Sequence, residues 1–564
     1  MEWDDCKKGE VFMLNLSRNH DSKKNEQLLS KWLPKGRTML SLAVEAEQVL
    51  KETIRQNERK KRTPSLTNRY AYFFPRLFLT TKKAPDSNYL PALKEGTLYP
   101  EWKDELDSEY DVLNKAINKQ VNVLDYGAVG DGRTDCTKAF TKAVGNGRRM
   151  VFVPEGTFVV KGIRLPSLTC FIGEGRGKSI IKLSEKAGIS ATLLTNANPI
   201  RGNHHILVQG LTLDWNAARL PEGQKTSAGN NRSSCLTYAH VTYGWIRDVE
   251  AVNAGLHAFD LSSSFYTYFG DGTWSRGPSR FIWVDHVTGH GFGDDGVTTH
   301  HSSHLLITNS HMCFPSGRAH QQGFSNSNGF EVDDGSNDVW LIHNSSSHCF
   351  GGVEIKAHAT ASAASNVHIY GHLSVHDNRS FNFRHIGHHL HTDPDSLSAF
   401  NISAVNLVSL APVYTDLYKG SAPRCLVVSA YQNVVINQLT MIGDPDYDYQ
   451  GEPAAALQYK SRFITLRHIS ARHFKSAGAD IKIFGGNQPA DNIQLEGLQF
   501  NDSAPIGIDI GPNVKNIAIS SLLAAREKGV AAIRAAGHSV HLSNIETTGY
   551  QSSIKYAGKT NHLS

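Results

Sequence analysis

No run of apolar residues in this 564-residue chain approaches the roughly 20 needed to cross a bilayer as a helix, which excludes that kind of membrane span. Cysteine is scarce and scattered. Cys6, Cys136, Cys170, Cys235, Cys313, Cys349 and Cys425 show no C-x-x-C spacing, and their odd number leaves at least one thiol unpaired, so free and mostly buried thiols are expected. No HExxH or comparable ligand spacing is present, and no metal site is assigned from the sequence. Neither charge sign dominates: 58 Lys and Arg face 53 Asp and Glu, and a net charge of +5 does not mark a nucleic-acid binder. The first residues, MEWDDCKKGE, lack the basic-then-apolar pattern of a secretory leader, so export by the general route is not expected. Apolar positions three and four apart are also missing from most of the chain, which argues against a helical solenoid, and the Leu and Asn ladder of leucine-rich repeats is absent.

What recurs instead is a polar residue followed by alternating apolar ones. The pattern stands in HHILVQGLTL from His204, RFIWVDHVTG from Arg280, NDVWLIHNSS from Asn337 and NVHIYGHLSV from Asn366. It continues in NISAVNLVSL from Asn401, NVVINQLTMI from Asn433, FITLRHISA from Phe463, NIQLEGLQF from Asn492 and NIAISSLLA from Asn516. Alternation is the signature of strands. Spacings of roughly 24 to 35 residues suit one coil of a β-solenoid with loops of varying length, and a solenoid can exceed ordinary domain size because each coil packs only on its neighbours. The repeat runs almost to Ser564, so no large C-terminal domain is expected.

Residues 1–118 differ. They are rich in Lys, Glu and Arg, and Leu42, Ala46, Val49, Leu50 and Ile54 form a helical stripe that ends in the basic run Arg59 to Arg62. This predicts a separate, partly helical N-terminal region, either an attachment and oligomerisation module or a helical cover for the solenoid, followed by one solenoid domain over 119–564.

The stretch from Val121 to Ile181 carries the most specific signal. VNVLDYGAVGDGRTD is followed by an amphipathic segment from about Asp135 to Val144, then by VFVPEGTFVV and FIGEGRGKSII. In that order, these motifs resemble the opening turns of the pectate-lyase-like right-handed parallel β-helices, the superfamily of polygalacturonases and many phage tailspikes. The resemblance implies an all-β, right-handed parallel β-helix with a short capping helix. Such a cap is physically required, because the first rung otherwise exposes an unpaired strand edge.

Aligning the strands between the repeats gives the candidate site. GVTTHH from Gly296, GFEVDD from Gly329, GVEIKA from Gly352 and SFNFRH from Ser380 stack with Val297, Phe330, Val353 and Phe381 inward, together with Thr299, Val332, Ile355 and Phe383. Two columns are then expected to face solvent: Thr298, Glu331, Glu354 and Asn382, and His300, Asp333, Lys356 and Arg384. Rungs roughly 4.8 Å apart make carboxylates, cations and histidines converge there. GFGDDGV, with Asp294 and Asp295, resembles the paired-aspartate motif of polygalacturonases, and GVEIKA with Lys356 is loosely like the basic strand of that family. The chain departs from the pattern in placing Gly289-His290-Gly291 before the aspartates and in lacking an Asn-Thr-Asp strand, for which Asp260 is a candidate stand-in.

Glycoside hydrolysis needs an acid and a base or nucleophile, and Asp294, Asp295, Glu331, Asp333, Asp334 and Glu354 offer several pairs. Lys356, His300, His358, Arg379, Arg384, His385, His388 and His389 are the candidate substrate-binding residues; 17 of the 27 histidines lie between His286 and His391. Asp214-Trp215-Asn216 and the aromatic loop Phe265 to Trp274 are expected either to stack on sugar or to pack. The resemblance implies a virion-borne or extracellular homotrimer that depolymerises a bacterial surface polysaccharide and joins phage tail or baseplate proteins through its N-terminal region. A uronate lyase, a teichoic-acid phosphodiesterase and a non-catalytic glycan adhesin are the other readings. No cofactor is assigned, although a divalent cation would suit the lyase or the phosphodiesterase.

Overall fold

The computed structural model describes residues 14–62, 91–265, 275–357, 363–386, 399–537, 540–556 and 559–561. From the first strand, Lys119–Asn122, the chain winds as a right-handed parallel β-helix in which each strand pairs with its counterpart one coil later. Among the paired strands of the described residues only the last two, Ile554–Tyr556 and Lys559–Asn561, run antiparallel.

The solenoid interior is built from stacked columns. One runs Val284, Ile307, Leu341, Ile369, Ala404, Ile436, Leu466, Leu495 and Ile519, each directly over the last. All are buried, so the alternation read in the sequence is the alternation of core and outer face. In five of these repeats the opening asparagine has a conformational task. Asn366, Asn401, Asn433, Asn492 and Asn516 have φ between 53° and 64°, a left-handed bend that asparagine tolerates better than most residues. Their amides also stack, with Asn401 Nδ2 donating to Asn366 Oδ1 at 2.9 Å and Asn433 Nδ2 to Asn401 Oδ1 at 3.0 Å.

Among the described residues four α-helices adorn the coil: α1 (Asn25–Ser30), α2 (Met39–Arg62), α3 (Lys103–Ala116) and α4 (Thr137–Val144). The cap expected near 135–144 is α4, which buries Ala139, Phe140, Ala143 and Val144 and sets Phe140 edge-on to Phe158 at 5.7 Å. The stripe of residues 42–54 lies on α2. Leu42, Ala43, Ala46, Leu50 and Ile54 pack on the outer face of the long strands, against Leu306, Trp340, Tyr370, Val405 and Val435. Glu47 enters that contact to accept from His368 at 2.8 Å, and Asn57 donates to Gln432 and Asn433. The described cysteines, Cys136 through Cys425, are buried free thiols.

Candidate functional site

Five short strands of the second sheet carry the candidate residues: β1 (Phe259–Ser262), β2 (Val297–His300), β3 (Asn328–Val332), β4 (Gly351–Ala357) and β5 (Arg379–His385). Their register is the expected one. Phe259, Val297, Phe330, Val353 and Phe381 align on the core side, and Asp260, Thr298, Glu331, Glu354 and Asn382 align on the outer side. Ser262 pairs with His300, and Lys356 with Arg384. Asp333, one residue past β3, sits with its Oδ2 3.7 Å from Lys356 Nζ and 3.9 Å from His300 Nε2.

The expectation that these columns face solvent is corrected. Glu331, Glu354, Asp333, His300, Thr298, Asn382 and Lys356 are all buried, and Arg384 is largely so. Two causes combine: the side chains cover one another through ion pairs, and the segment 315–327 folds across them. From that segment His320 Nε2 meets Asp294 Oδ2 at 2.8 Å, Ser325 Oγ reaches Asp294 Oδ1 at 3.5 Å, and Asn326 Nδ2 reaches Glu354 Oε2 at 3.5 Å. A second segment pins it: Ser325 N donates to Leu417 O, and Lys419 N to Gly323 O, both at 2.9 Å.

Within this enclosure three neighbouring carboxyls have different surroundings. Asp295 Oδ1 accepts from Asn328 N at 2.9 Å and from its Nδ2 at 3.0 Å, and the same Nδ2 donates to Glu331 Oε1 at 3.1 Å. Burial first, then the charges of Asp294 and Glu331, push Asp295 well above the usual carboxylate range. Burial also acts to raise Glu331, but Lys356, bonded to it, and His300 outweigh that effect and hold it below the usual range. For Asp294 burial is likewise outweighed, by the charge and hydrogen bond of His320, and it too stays ionised. His300, although buried, is pushed up to about 9 by Asp260, Asp333 and Glu331. Lys356 is raised well above the ordinary lysine value, because its acidic neighbours outweigh its burial.

Two groups bring possible metal ligands within 4.8 Å of one another: His257, Asp294 and Asp295, and His300, Glu331 and Asp333. The ammonium of Lys356 already neutralises the second. The first is the set able to hold a divalent cation, since neither ring nitrogen of buried His257 has a hydrogen-bond partner.

The remaining candidates are spread wider. Glu354 accepts from Asn382 Nδ2 at 3.1 Å and pairs with Arg384. Arg379 opens β5 beside Arg424, and burial and that neighbour lower it to about 10. His385 ends β5, fully buried, and Asp334 lies in the turn after β3, where its carbonyl accepts from His301 N at 2.6 Å. His358, His388 and His389 lie outside the described residues, as does most of the Phe265 to Trp274 loop. Trp215 is a core residue and not a sugar platform: it is fully buried, donates to Ala191 O at 2.7 Å and is covered by Arg219. His257, Asn328 and His320 were not among the sequence-derived residues. His257 was within reach by extending the ladder one rung to GLHAFDLS, whereas His320 comes from a loop that leaves no periodic trace.

A family model described as rhamnogalacturonase A/epimerase, pectate lyase-like, matches residues 120–354. The phage-related protein YobO of Bacillus subtilis (strain 168) is 44% identical over 466 residues, 83% of this chain and 57% of that protein. The pre-neck appendage protein of Bacillus phage phi29 is 40% identical over 445 residues, 78% of this chain and 51% of that one. This chain thus spans about half the length of the curated relatives it matches. The crystal structure of the N-terminal fragment of phi29 gene product 12 superposes with a TM-score of 0.72 at 37% identity, over 81% of this chain and 75% of the fragment. By fold, register and these likenesses, the chain belongs to the pectate-lyase-like right-handed parallel β-helix superfamily, in the branch of the Bacillus phage appendage proteins.

Proposed function

We propose that this chain is a tailspike-like depolymerase that hydrolyses glycosidic bonds of a bacterial cell-surface polysaccharide. The observation that carries the reading is that Asp295 and Glu331 share the Asn328 amide in surroundings that push them in opposite directions, Asp295 up through burial and its carboxylate neighbours and Glu331, despite its burial, down through Lys356. Carboxyls driven to opposite protonation states are what acid-assisted glycoside cleavage uses. Asp295 donates its proton to the leaving oxygen, and Glu331, kept anionic by Lys356, attacks or stabilises the sugar cation. Asp294, ionised against His320, keeps the proton on Asp295. Two oxygens bonded to one amide nitrogen lie roughly 5 Å apart, on the retaining side of the roughly 6.5–9.5 Å used by inverting enzymes. A sugar reaches this pair only when the segment 315–327 swings away.

The lyase alternative would use a histidine as its base, with His257, whose ring nitrogens have no hydrogen-bond partner, as the candidate, since Lys356 is bound to Glu331 and Arg384 is paired with Glu354. A virion-borne homotrimer whose residues 1–118 contact phage tail or baseplate proteins belongs to the same proposal, and the likeness to pre-neck appendage proteins supports its virion association.

The test is digestion of a panel of capsular polysaccharides, pectins and teichoic acids by the full chain, with products read by mass spectrometry and NMR. Products that gain one water, keep their anomeric configuration and vanish with Asp295→Asn are expected. Unsaturated products would establish the lyase, phosphomonoester ends the phosphodiesterase, and intact polymers with binding only an adhesin.

A further inference from the structure

The outer column that carries the acid cluster does not stop at β1. Going toward the cap it continues through Thr237 and Thr195 to Arg164, each paired with the next rung, from Asp260 backward. Beside these rungs opens a cleft of about 770 Å³. Lys161, Arg164 and Arg232 line it, along with several threonines and serines, and no Asp or Glu lines it among the described residues. Lys161 is held by Asp135 at 3.2 Å, whereas the exposed Arg164 and Arg232 have no ion pair among the described residues. Thr237, 1% exposed, adds a hydroxyl that lines the cleft without a hydrogen-bond partner. The cleft is continuous with the acid face: its wall residue Asn231 donates to Ser263 O at 2.8 Å and accepts from Ser262 Oγ at 2.7 Å, at the end of β1.

We infer that this cleft is a binding site for anionic groups of a linear polymer, with Arg164 and Arg232 as the guanidinium partners of successive phosphates or carboxylates. The two ends of the column differ: Arg164 is an exposed cation without an ion pair among the described residues, whereas the carboxylates from Asp260 to Glu354 are buried beside Lys356, Arg384 and His300. Three rungs separate Arg164 from Asp260, about 14 Å at the usual strand spacing, which is the reach of a few polymer units. A polyanion is drawn to the exposed guanidinium end, so its anionic groups lie toward the cap. Planar guanidinium forks suit both phosphate and carboxylate oxygens. As a statement about the substrate this rests on the depolymerase reading; as a statement about binding it does not.

The test is calorimetric titration of the full chain with poly(glycerol phosphate), with oligogalacturonate and with neutral dextran oligomers of matched length, the same samples being checked for cleavage by mass spectrometry. An Arg164→Gln/Arg232→Gln variant, changed only at exposed positions, should keep its melting temperature and lose about tenfold in affinity for the polyanion, with a shallower salt dependence. Loss for poly(glycerol phosphate) alone assigns the site to phosphate, and loss for oligogalacturonate alone assigns it to carboxylate. Unchanged affinity for both polyanions, or dextran binding as tightly as they do, overturns the inference. Polyanion binding lost in the variant with no product from any polymer keeps this site and removes the depolymerase reading.

Discussion

Two outer faces of the same solenoid are buried, and they are buried differently. On the long strands Trp340, Tyr370, Val405 and Val435 are covered by the apolar stripe of α2, with Glu47 and His368 as a paired polar insertion. On β1 to β5 the covered groups are Asp260, Glu331, Glu354, Lys356 and His300, and their cover is a polar loop together with one another. The first arrangement gains stability with each apolar group removed from water. The second confines like charges away from solvent, where each needs a partner, and Asp295, bonded to Asn328 beside Asp294 and Glu331, is pushed well above the usual carboxylate range. Burial of ionisable groups at that density is unfavourable for packing and is the kind of cost that chemistry explains.

Substitutions on the two faces should therefore separate activity from stability. On the depolymerase reading the largest effect is expected for Asp295→Asn, which removes the proposed proton donor and should lower kcat by about 100- to 10,000-fold while leaving the melting temperature within a few degrees. A stable variant with unchanged turnover would put the acid elsewhere. The wild-type rate should follow a bell-shaped pH profile. Its acid limb, from protonation of Glu331, lies below the ordinary carboxylate range, and its alkaline limb, from loss of the Asp295 proton, lies above that range.

The same shifts fix the sign of the stability change. Asp295, raised in the folded state, binds its proton more tightly folded than unfolded, so its contribution is present at acid pH and is lost as pH rises through its folded value. Glu331, depressed in the folded state, contributes above its unfolded value and ceases to contribute as pH falls toward its folded one. Urea titrations of wild type and Asp295→Asn across pH should show the variant losing less stability on the alkaline side.

Lys356→Met comes next. It leaves Glu331 and Asp333 buried without their cation and should cost about 3–5 kcal/mol by chemical denaturation, together with an acid limb moved toward neutral pH. On the other face, Leu50→Ala should cost about 2–5 kcal/mol in the same assay with kcat unchanged. If it lowered kcat as well, the two faces would be coupled through the coil. The smallest effect is expected for Asn401→Ala, which loses two amide contacts and places alanine at φ 64°; roughly 1–2 kcal/mol of destabilisation is the expected reading.

The sequence made the coil legible because its signal is local: an alternation of period two, restarted by a left-handed asparagine, survives loops of any length. It made the register of β2 to β5 legible for the same reason, since glycine and apolar anchors at matched positions fix which side chains stack. It did not make the cover legible. Whether Glu331 faces water depends on the segment 315–327, whose contacts with Asp294 and Glu354 join residues about 30 positions apart through an aperiodic loop. Trp215 reads alike as platform or core, because an indole is chosen for either task, and only its bond to Ala191 and its full burial decide. His320 shows the same limit from the other side.

The seating of α2 has a consequence for the order in which the molecule is completed. Glu47 and Asn57 bind His368, Gln432 and Asn433, partners more than 300 residues later in the chain. On the ribosome the helix is made long before its docking surface, and an amphipathic helix without its partner is marginal in water. It can settle only after the rungs around residues 340–470 have been wound. The segment synthesised early is thus fastened late, and its docking marks the moment at which the central coils are closed.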